Sequence, residues 1–167
     1  MSCENYFSLP LKELPAFGIA FNTEAQKVSA NQPLSLPDNN SNPSVSIPVL
    51  LDVENTGVGL RVQRSGIYQL SYTLTVSLDN VPAPLEGRES AIFFLTLNGT
   101  TLANAIAGSG TAVRTTFNST GLIVVTSSVI LTNLYIDDLI HIVPTDIDDP
   151  LKTIDIRSAN LTVTQIA

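Results

Sequence analysis

In the segment YQLSYTLTVSLDN, residues 68 to 80, apolar and polar residues alternate without a break as far as Asp79. One parity carries Tyr68, Leu70, Tyr72, Leu74, Val76 and Leu78, and the other carries Gln69, Ser71, Thr73, Thr75, Ser77 and Asp79. Successive side chains of a β-strand point to opposite faces of its sheet, so this pattern predicts one long strand with a buried face and a polar face. Before Asp79 the polar face holds only hydroxyl and amide side chains.

Two other segments carry apolar residues on both parities. In AFGIAF the bulky residues Phe17, Ile19 and Phe21 alternate with small apolar ones, which predicts a strand that is packed on both sides. The segment LIVVTSSVILTNLYI, residues 122 to 136, also has apolar residues in both phases. We predict a strand there, with the protein core on one side and a neighbouring subunit on the other.

Turn residues and one change of phase predict how the strands connect. Asn98-Gly99 after IFFLTL is a β-hairpin signal, with TLANAIAG as the return strand. In the last segment, TIDIRSANLTVTQIA, the apolar phase changes between Ile156 and Ala159, which predicts a β-bulge near Ser158. Loops are predicted in three stretches that are rich in proline, asparagine or acidic residues: 22–48, with at most short edge strands, 81–90 and 145–153.

The strands define the fold class and the domain organisation. No segment has a convincing 3.6-residue period, and the chain contains no tandem repeat. About nine strands separated by short turns, with many β-branched residues, predict an all-β antiparallel sandwich or jelly roll. The chain has 167 residues, the size of one domain. We expect a flexible tail over residues 1–14 and one domain over residues 15–167.

The composition changes this picture in one respect, because charged residues make up only 14% of the chain. A single exposed domain with so few charges would be poorly soluble alone, so we expect other subunits to cover part of its surface. The 15 acidic and 8 basic residues give a net charge of −7, which disfavours binding to nucleic acid or to an anionic membrane. The sequence shows no secretory signal and no apolar run long enough to span a bilayer, so we expect no membrane insertion.

The single cysteine, Cys3, lies in the polar segment MSCENY. It has no second cysteine with which to form an internal disulfide, and a chain of this length does not need one to fold. We interpret Cys3 as a free thiol on the tail, with an intermolecular cross-link as the alternative.

The sequence offers little support for an enzyme. His141 is the only histidine and shares the parity of Leu139 and Val143 in a predicted strand, which is typical of a packed or interface residue. The chain has no GxSxG elbow, and Gly108 and Gly110 lack the Gly-Lys-Ser/Thr of a phosphate-binding loop. The absence of tryptophan argues against a sugar-cleaving cleft. We therefore expect no catalysis and no cofactor.

Aspartates form the one candidate metal site in the sequence. They are Asp137, Asp138, Asp146, Asp148 and Asp149. Carboxylate oxygens at this density are suitable calcium ligands. Their spacing matches neither an EF-hand nor another calcium loop, so we prefer the interpretation of a solvated acidic turn and assign no metal.

Five segments, taken in order, resemble a known family: PAFGIAFN, SGIYQLSYTLTVSLDN, GSGTAVR, DLIHIVP and DIRSANLTVTQI. Over roughly residues 15–167 they are similar to the Bacillus spore-surface proteins that form the basal layer of the exosporium. The combination of SGIY, a long alternating strand and a late Asp-Leu-Ile also resembles the trimeric jelly roll of complement C1q and tumour necrosis factor. The resemblance implies a ten-stranded antiparallel jelly roll and a homotrimer.

The same resemblance implies a function. It describes a non-enzymatic structural protein of the exosporium basal layer, which anchors collagen-like glycoprotein filaments among other exosporium proteins on the spore surface. Such a protein is made in the mother cell without a signal peptide, and the absence of a Gly-X-Y repeat fits a basal-layer component. The alternative is a C1q-like ligand- or glycan-binding module on a spore or phage surface, which would use loops such as VPAPLEGRES. A hydrolase on a jelly-roll scaffold is a third alternative and would need a cleft with convergent polar groups.

In a trimer of this kind, the polar face of the long strand would meet a neighbouring subunit, because hydroxyl groups allow close contact without unpaired charges. The candidates for the subunit interface or the adjoining core are Phe17, Phe21, Gln69, Ser71, Tyr72, Thr73, Thr75 and Leu131. If the filaments are attached covalently, the candidate cross-linking residues are Cys3, Glu4, Glu13, Asp148 and Asp149.

Overall fold

The structure is a computed structural model that describes residues 14–37, 50–77, 89–102, 110–114, 122–147 and 153–167. Within these ranges every regular element is a β-strand, and the strands form two antiparallel sheets. This confirms the all-β class. In the described part of the chain, no helix is long and apolar enough to cross a membrane.

Sheet 1 has the predicted long strand near its centre. The strand order is β10-β6-β13-β1-β3, with β11 also paired to β6 and β2 also paired to β13. Its strands are β1 (Phe17–Asn22), β2 (Gln26–Ser29), β3 (Leu50–Leu51), β6 (Gly66–Ser77), β10 (Leu122–Thr126), β11 (Ile130–Leu134) and β13 (Thr153–Gln165). The long strand begins two residues before the alternating segment, at Gly66, and residues 78–80 lie outside the described ranges.

Sheet 2 packs against sheet 1 and has the order β4-β5-β12-β7-β8, with β9 also paired to β7. Its strands are β4 (Val53–Asn55), β5 (Leu60–Val62), β7 (Glu89–Leu97), β8 (Thr100–Thr101), β9 (Gly110–Arg114) and β12 (Leu139–Ile147). The described residues thus contain thirteen strands, which is more than the ten that the resemblance implies.

One hydrophobic core lies between the two sheets. The apolar parity of β6 points into it, so Tyr68, Leu70 and Leu74 are fully buried, as the alternation predicts. Phe93 of β7 belongs to the same core cluster. The Tyr72 hydroxyl donates a hydrogen bond to the Phe93 carbonyl oxygen at 2.7 Å, which satisfies a buried polar group and ties the two sheets together.

The predicted bulge in the last strand is confirmed. Ile156 of β13 is opposite Val76, but Ser158 is opposite Thr75, so Arg157 is the extra residue in the ladder. The insertion allows Ile156 and Ala159 to point into the core although they have different parities.

The prediction of one strand over residues 122–136 was wrong. The segment forms two strands, β10 and β11, which both pair with β6. At the break, the Ser127 hydroxyl accepts a hydrogen bond from the Tyr72 amide at 2.9 Å, and the Ser127 amide donates to the Tyr72 carbonyl oxygen at 3.0 Å. Three residues outside the strands shift the phase, so Val125 before the break and Ile130 after it are both buried.

The Asn98-Gly99 hairpin is confirmed. The two residues have φ angles of 51° and 80°, the left-handed conformation that a tight hairpin turn requires, and they join β7 to β8. Thr100 and Thr101 pair with β7, and of these two only Thr101 belongs to the predicted return strand. Residues 103–109 lie outside the described ranges. Most of the predicted loop 81–90 also lies outside them.

Candidate functional site

The outer face of sheet 1, which points away from the core, contains most of the predicted interface residues. Gln69, Ser71, Thr73 and Thr75 alternate with the buried residues of β6 and therefore lie on this face. On the next strand, β13, the directly opposite residues are also polar: Thr164, Thr162, Asn160 and Ser158. The centre of the face is a band of hydroxyl and amide groups.

Bulky apolar side chains flank this polar band on one side. Phe17, Ile19 and Phe21 of β1 are opposite Thr164, Thr162 and Asn160 of β13, so they lie on the same outer face. All three are half-buried, while the small residues between them face the core. The prediction of a strand with one bulky and one small apolar face is confirmed.

Aliphatic side chains flank the polar band on the other side. Val124 of β10 is opposite Thr75, and Leu131 of β11 is opposite Gln69. Leu122, Val124 and Leu131 are 62%, 65% and 53% exposed. Leaving these side chains in water is unfavourable, and exposed apolar side chains are typical of contact sites when they are grouped together.

Charge is almost absent from sheet 1. Among the residues in its strands, only Lys27, Asp155 and Arg157 are charged. Lys27 is opposite Asp155 where β2 meets β13, and Arg157 lies 3.7 Å from the Asp155 carboxylate. The charges are therefore confined to one end of the sheet, and the rest of the outer face is neutral.

The structure places Tyr72 in the core, which is one of the two positions predicted for it. Tyr72 is only 3% exposed and lies in the core of the protomer, so its side chain has no surface to offer a neighbouring subunit. Phe17, Phe21 and Leu131 lie on the outer face with the polar residues of β6, and their role at an interface stays a prediction.

Sequence reasoning missed Leu122 and Val124 as members of this surface. The signal was present, because residues 122–126 carry apolar side chains on both parities. When residues 122–126 are assigned to one continuous strand with residues 130–134, the sequence does not show which of their side chains lie on the outer face. The polar residues of β13 were not named as interface candidates either, although the predicted bulge near Ser158 gives their phase correctly.

The two ends of the described domain meet beside Arg64. Its guanidinium group donates to the Leu14 carbonyl oxygen at 2.7 Å and to Gln165 Oε1 at 3.2 Å, and forms an ion pair with Asp52. Gln165 Oε1 also accepts a hydrogen bond from the Ala16 amide at 3.1 Å. The chain therefore enters the domain next to its carboxyl end. The cross-linking candidates Cys3, Glu4, Glu13, Asp148 and Asp149 lie outside the described residues and stay predictions.

Within the part of the chain that the structure describes, no carboxylate is hydrogen-bonded to Nδ1 of the histidine. A triad needs a carboxylate on one imidazole nitrogen of the base. His141 Nδ1 is buried without a hydrogen-bond partner, and burial lowers the pKa of this imidazole. Burial therefore favours the neutral form of the imidazole over the charged form.

The acidic residues that the structure describes do not form a metal site. The Asp138 carboxylate accepts hydrogen bonds from Asn98 Nδ2 and from the Tyr135 amide, both at 2.8 Å. Within the described ranges, no three His, Cys, Asp or Glu side chains are grouped so that they could hold a metal ion. Asp148 and Asp149 lie outside these ranges, so the calcium hypothesis is not tested for them.

The arrangement of the two sheets matches solved structures of known proteins. Eiger TNF from S. frugiperda superposes with a TM-score of 0.56 at 12% identity, over 91% of this chain and 94% of that chain. The globular domain of zebrafish complement 1qA gives 0.55 at 19% identity, over 93% and 98%. Murine APRIL gives 0.51 at 12% identity, over 91% and 99%.

The chain has a C1q/TNF-like jelly-roll fold. No protein-family model matches the sequence, and no curated protein matches it. At identities of 12% to 19% the likeness establishes the fold alone. The resemblance to the jelly roll of C1q and tumour necrosis factor is therefore confirmed as a fold, while the assignment to exosporium proteins and the function that it implies are proposals.

Proposed function

We propose that this protein is a non-enzymatic structural module that assembles as a homotrimer through the outer face of sheet 1. The observation that carries the proposal is the composition of that face. Its centre is a band of hydroxyl and amide groups, its flanks are apolar, and its charged residues are confined to one end. Such a face can be covered by another subunit without burying unpaired charges.

The two flanks of the face favour a closed ring over a face-to-face dimer. One flank carries aliphatic residues such as Val124 and Leu131, and the other carries the aromatic rings of Phe17 and Phe21. Different surfaces on two sides of one face suit a head-to-tail contact, which closes into a ring when the rotation allows it. The C1q/TNF-like fold and the sequence resemblance support three subunits.

We place this trimer in the basal layer of the Bacillus exosporium, as a platform that anchors collagen-like glycoprotein filaments. The support is the ordered resemblance of five segments over residues 15–167, together with a fold of the implied class. The low content of charged residues fits a protein that is covered by neighbours in an assembled layer.

Spores that produce point variants of the protein test this role. Val124→Lys introduces a charge on the outer face of sheet 1, and Val58→Lys makes the same change at an exposed residue after β4. We expect immunogold label on the outer spore layer for the wild type and for Val58→Lys, with filaments retained, and loss of both for Val124→Lys. A wild-type protein that is absent from the spore surface would refute the proposed location.

The second candidate is a ligand-binding module on a spore or phage surface. A specific observation supports it, because a cavity of about 160 Å³ lies beside sheet 2 and its lining includes Asn31, Thr101 and His141. A trimer that binds ligands would carry three such cavities. The two candidates are compatible in assembly and differ in whether purified protein binds a small ligand.

A further inference from the structure

His141 of β12 is packed between its neighbours on the outer face of sheet 2. Ile140 and Ile142 are fully buried in the core, so the imidazole between them points to the other side of the sheet. Thr96 of β7 lies directly opposite it. On the other side the ring lies against Gly59, the residue before β5, because a Cβ atom there would be 2.9 Å from His141 Cδ2. The ring is therefore held by the chain on both sides of β12.

One ring nitrogen of this histidine has no partner. Nδ1 is buried and makes no hydrogen bond. The neutral imidazole can leave Nδ1 as an unpaired acceptor, because its single N–H group is then on Nε2. The charged imidazole carries an N–H group on both nitrogens, so it would have a buried donor at Nδ1 without an acceptor, which is costly. This packing therefore suits the neutral ring and disfavours the charged one.

The described surroundings of the ring contain no ionisable group that would offset its charge. The residues that lie beside it from other parts of the chain are Asn31, Pro33, Gly59, Thr96 and Thr101. Arg61 of β5 and Glu54 of β4 are on the same face of the sheet but form an ion pair with each other at 3.3 Å. The Asp138 carboxylate, just before β12, is hydrogen-bonded elsewhere. Burial thus lowers the pKa of His141 without a compensating charge.

The turn at residues 31–33 lies beside the ring across a small cavity. The cavity has a volume of about 160 Å³, and its lining includes residues of the turn as well as His141. Two backbone hydrogen bonds attach the turn to β12. The Asn31 amide donates to the Pro144 carbonyl oxygen at 2.7 Å, and the Leu34 amide donates to the Ile142 carbonyl oxygen at 3.0 Å. The turn therefore keeps this side of the ring covered.

The turn is the part of these surroundings that moves most easily. Thr96 and Thr101 are paired in the ladder of β7 and β8, whereas the turn lies outside the strands. Asn31 has a φ angle of 61°, in the left-handed region that is uncommon outside glycine. The chain is fixed again at Leu36, whose amide donates to the Gly57 carbonyl oxygen at 2.7 Å. The turn can therefore leave β12 by a local opening while β2 and Leu36 stay in place.

We propose that His141 is an acid-sensitive latch: protonation of its imidazole releases the turn at residues 31–33 from β12 and admits water to Nδ1. In the open state, water accepts the hydrogen bond of the Nδ1–H group and satisfies the backbone groups that the turn has left. At neutral pH the ring is uncharged and the turn stays closed. The latch does not depend on the proposed trimer, because it lies on the opposite sheet.

Hydrogen exchange of backbone amides tests the latch. The reporters are the amides of Asn31 and Leu34, which the opening releases, and the references are the amides of Leu74 and Val163 in the paired strands β6 and β13. Exchange of the purified protein is measured at about pH 7.5 and about pH 5 and corrected for the intrinsic effect of pH. We expect exchange to accelerate about tenfold at the reporters and to change by less than about twofold at the references.

Two controls connect the opening to the histidine. Because the chain has one histidine, its imidazole proton signals follow protonation without overlap from other histidines. We expect the midpoint of this titration to coincide with the midpoint of the change in exchange. In His141→Gln, whose side chain stays uncharged at both pH values, we expect the acceleration to disappear. The titration uses the wild-type protein, so it decides the question if the variant fails to fold.

Three results would overturn the proposal. The first is equal acceleration at the reporters and the references, which would mean that acid unfolds the whole domain. The second is titration of His141 without a change in exchange at Asn31 and Leu34, because the closed structure would then accept the charged ring. The third is unchanged acceleration in His141→Gln, which would assign the effect to another group. None of these results bears on the trimer, which is measured separately by its mass.

Discussion

The side chain of Asn98 donates a hydrogen bond to the carboxylate of Asp138 at 2.8 Å, and its Oδ1 accepts one from the Leu139 amide at 3.0 Å. The hairpin turn between β7 and β8 is thereby tied to the turn before β12. Asn98 has a φ angle of 51°, a conformation that asparagine tolerates better than most residues. The residue therefore sets both the local turn and its contact with the neighbouring strand.

Replacing this donor by a carboxylate should destabilise the fold. In Asn98→Asp the new side chain faces the Asp138 carboxylate and no longer donates to it, so we expect a loss of about 1 to 2 kcal/mol, limited by solvent screening. Chemical denaturation measures the change. Asn98→Gly, which keeps the turn but removes both hydrogen bonds, separates charge repulsion from hydrogen-bond loss. Equal stability of Asn98→Asp and the wild type would contradict this account of the turn.

Gly59 is a second position at which the geometry makes a clear prediction. A Cβ atom there would collide with the Ile140 carbonyl oxygen and would lie 2.9 Å from His141 Cδ2. We expect Gly59→Ala to lower the free energy of unfolding by about 2 to 3 kcal/mol, because β12 would have to move away from β5. Thermal and chemical denaturation provide the measurement.

A neighbouring glycine supplies the control. Gly57 has a φ angle of 84°, and a Cβ there would meet nothing within 4 Å. Gly57→Ala should therefore cost only backbone strain, about 1 kcal/mol. A larger effect of Gly57→Ala than of Gly59→Ala would show that the contact between β5 and β12 is looser than described.

His141 predicts a dependence of stability on pH. Burial lowers the pKa of its imidazole below the ordinary value of 6.5. The unfolded chain then binds a proton more readily than the folded chain. Protonation of His141 therefore does not lower the free energy of unfolding above about pH 6.5, and lowers it increasingly as the pH drops below that value. His141→Gln should show a shallower loss of stability between pH 7 and pH 5. Parallel pH profiles for the two proteins would rule out this contribution.

A charge on the outer face of sheet 1 should disrupt the assembly without unfolding the protomer. Val124→Lys places a lysine opposite Thr75, where a neighbouring subunit would bury it without a partner, at a cost of roughly 3 to 5 kcal/mol per interface. Light scattering should report a monomer, while the circular dichroism spectrum stays that of a β-protein. Val58→Lys should remain a trimer. Trimers of both variants at micromolar concentration would place the interface elsewhere.

Much of the fold follows from local patterns in the sequence. The alternation over residues 68–77, the Asn98-Gly99 turn and the bulge at Arg157 each have a local cause, namely parity, a positive φ angle or a change of phase. The break at residues 127–129 has a tertiary cause. It depends on the exposed edge of β6, which two short strands share, and on the hydrogen bonds of Ser127 to Tyr72.

The candidate site could be predicted only in part. The alternation in the sequence of β6 already showed that one face of this strand is uncharged. In the structure, Phe17, Phe21 and Leu131 lie on the same face of the sheet. Tyr72 was ambiguous because a tyrosine on the apolar parity suits a core or an interface, and only its hydrogen bond across the two sheets settles the choice. The pairing of Thr96 with His141 was not visible at all, because 44 residues separate them and only the register of β7 against β12 brings them together.

The solution mass of the purified 167-residue protein tests the central claim most directly. Each chain has a mass of 17.8 kDa, so a homotrimer has three times that mass, about 53 kDa. We predict this value by light scattering at micromolar concentration, unchanged by a reducing agent. A mass of one protomer would contradict the proposal that the outer face of sheet 1 is covered by neighbouring subunits. Larger species that disappear on reduction would instead assign the assembly to Cys3.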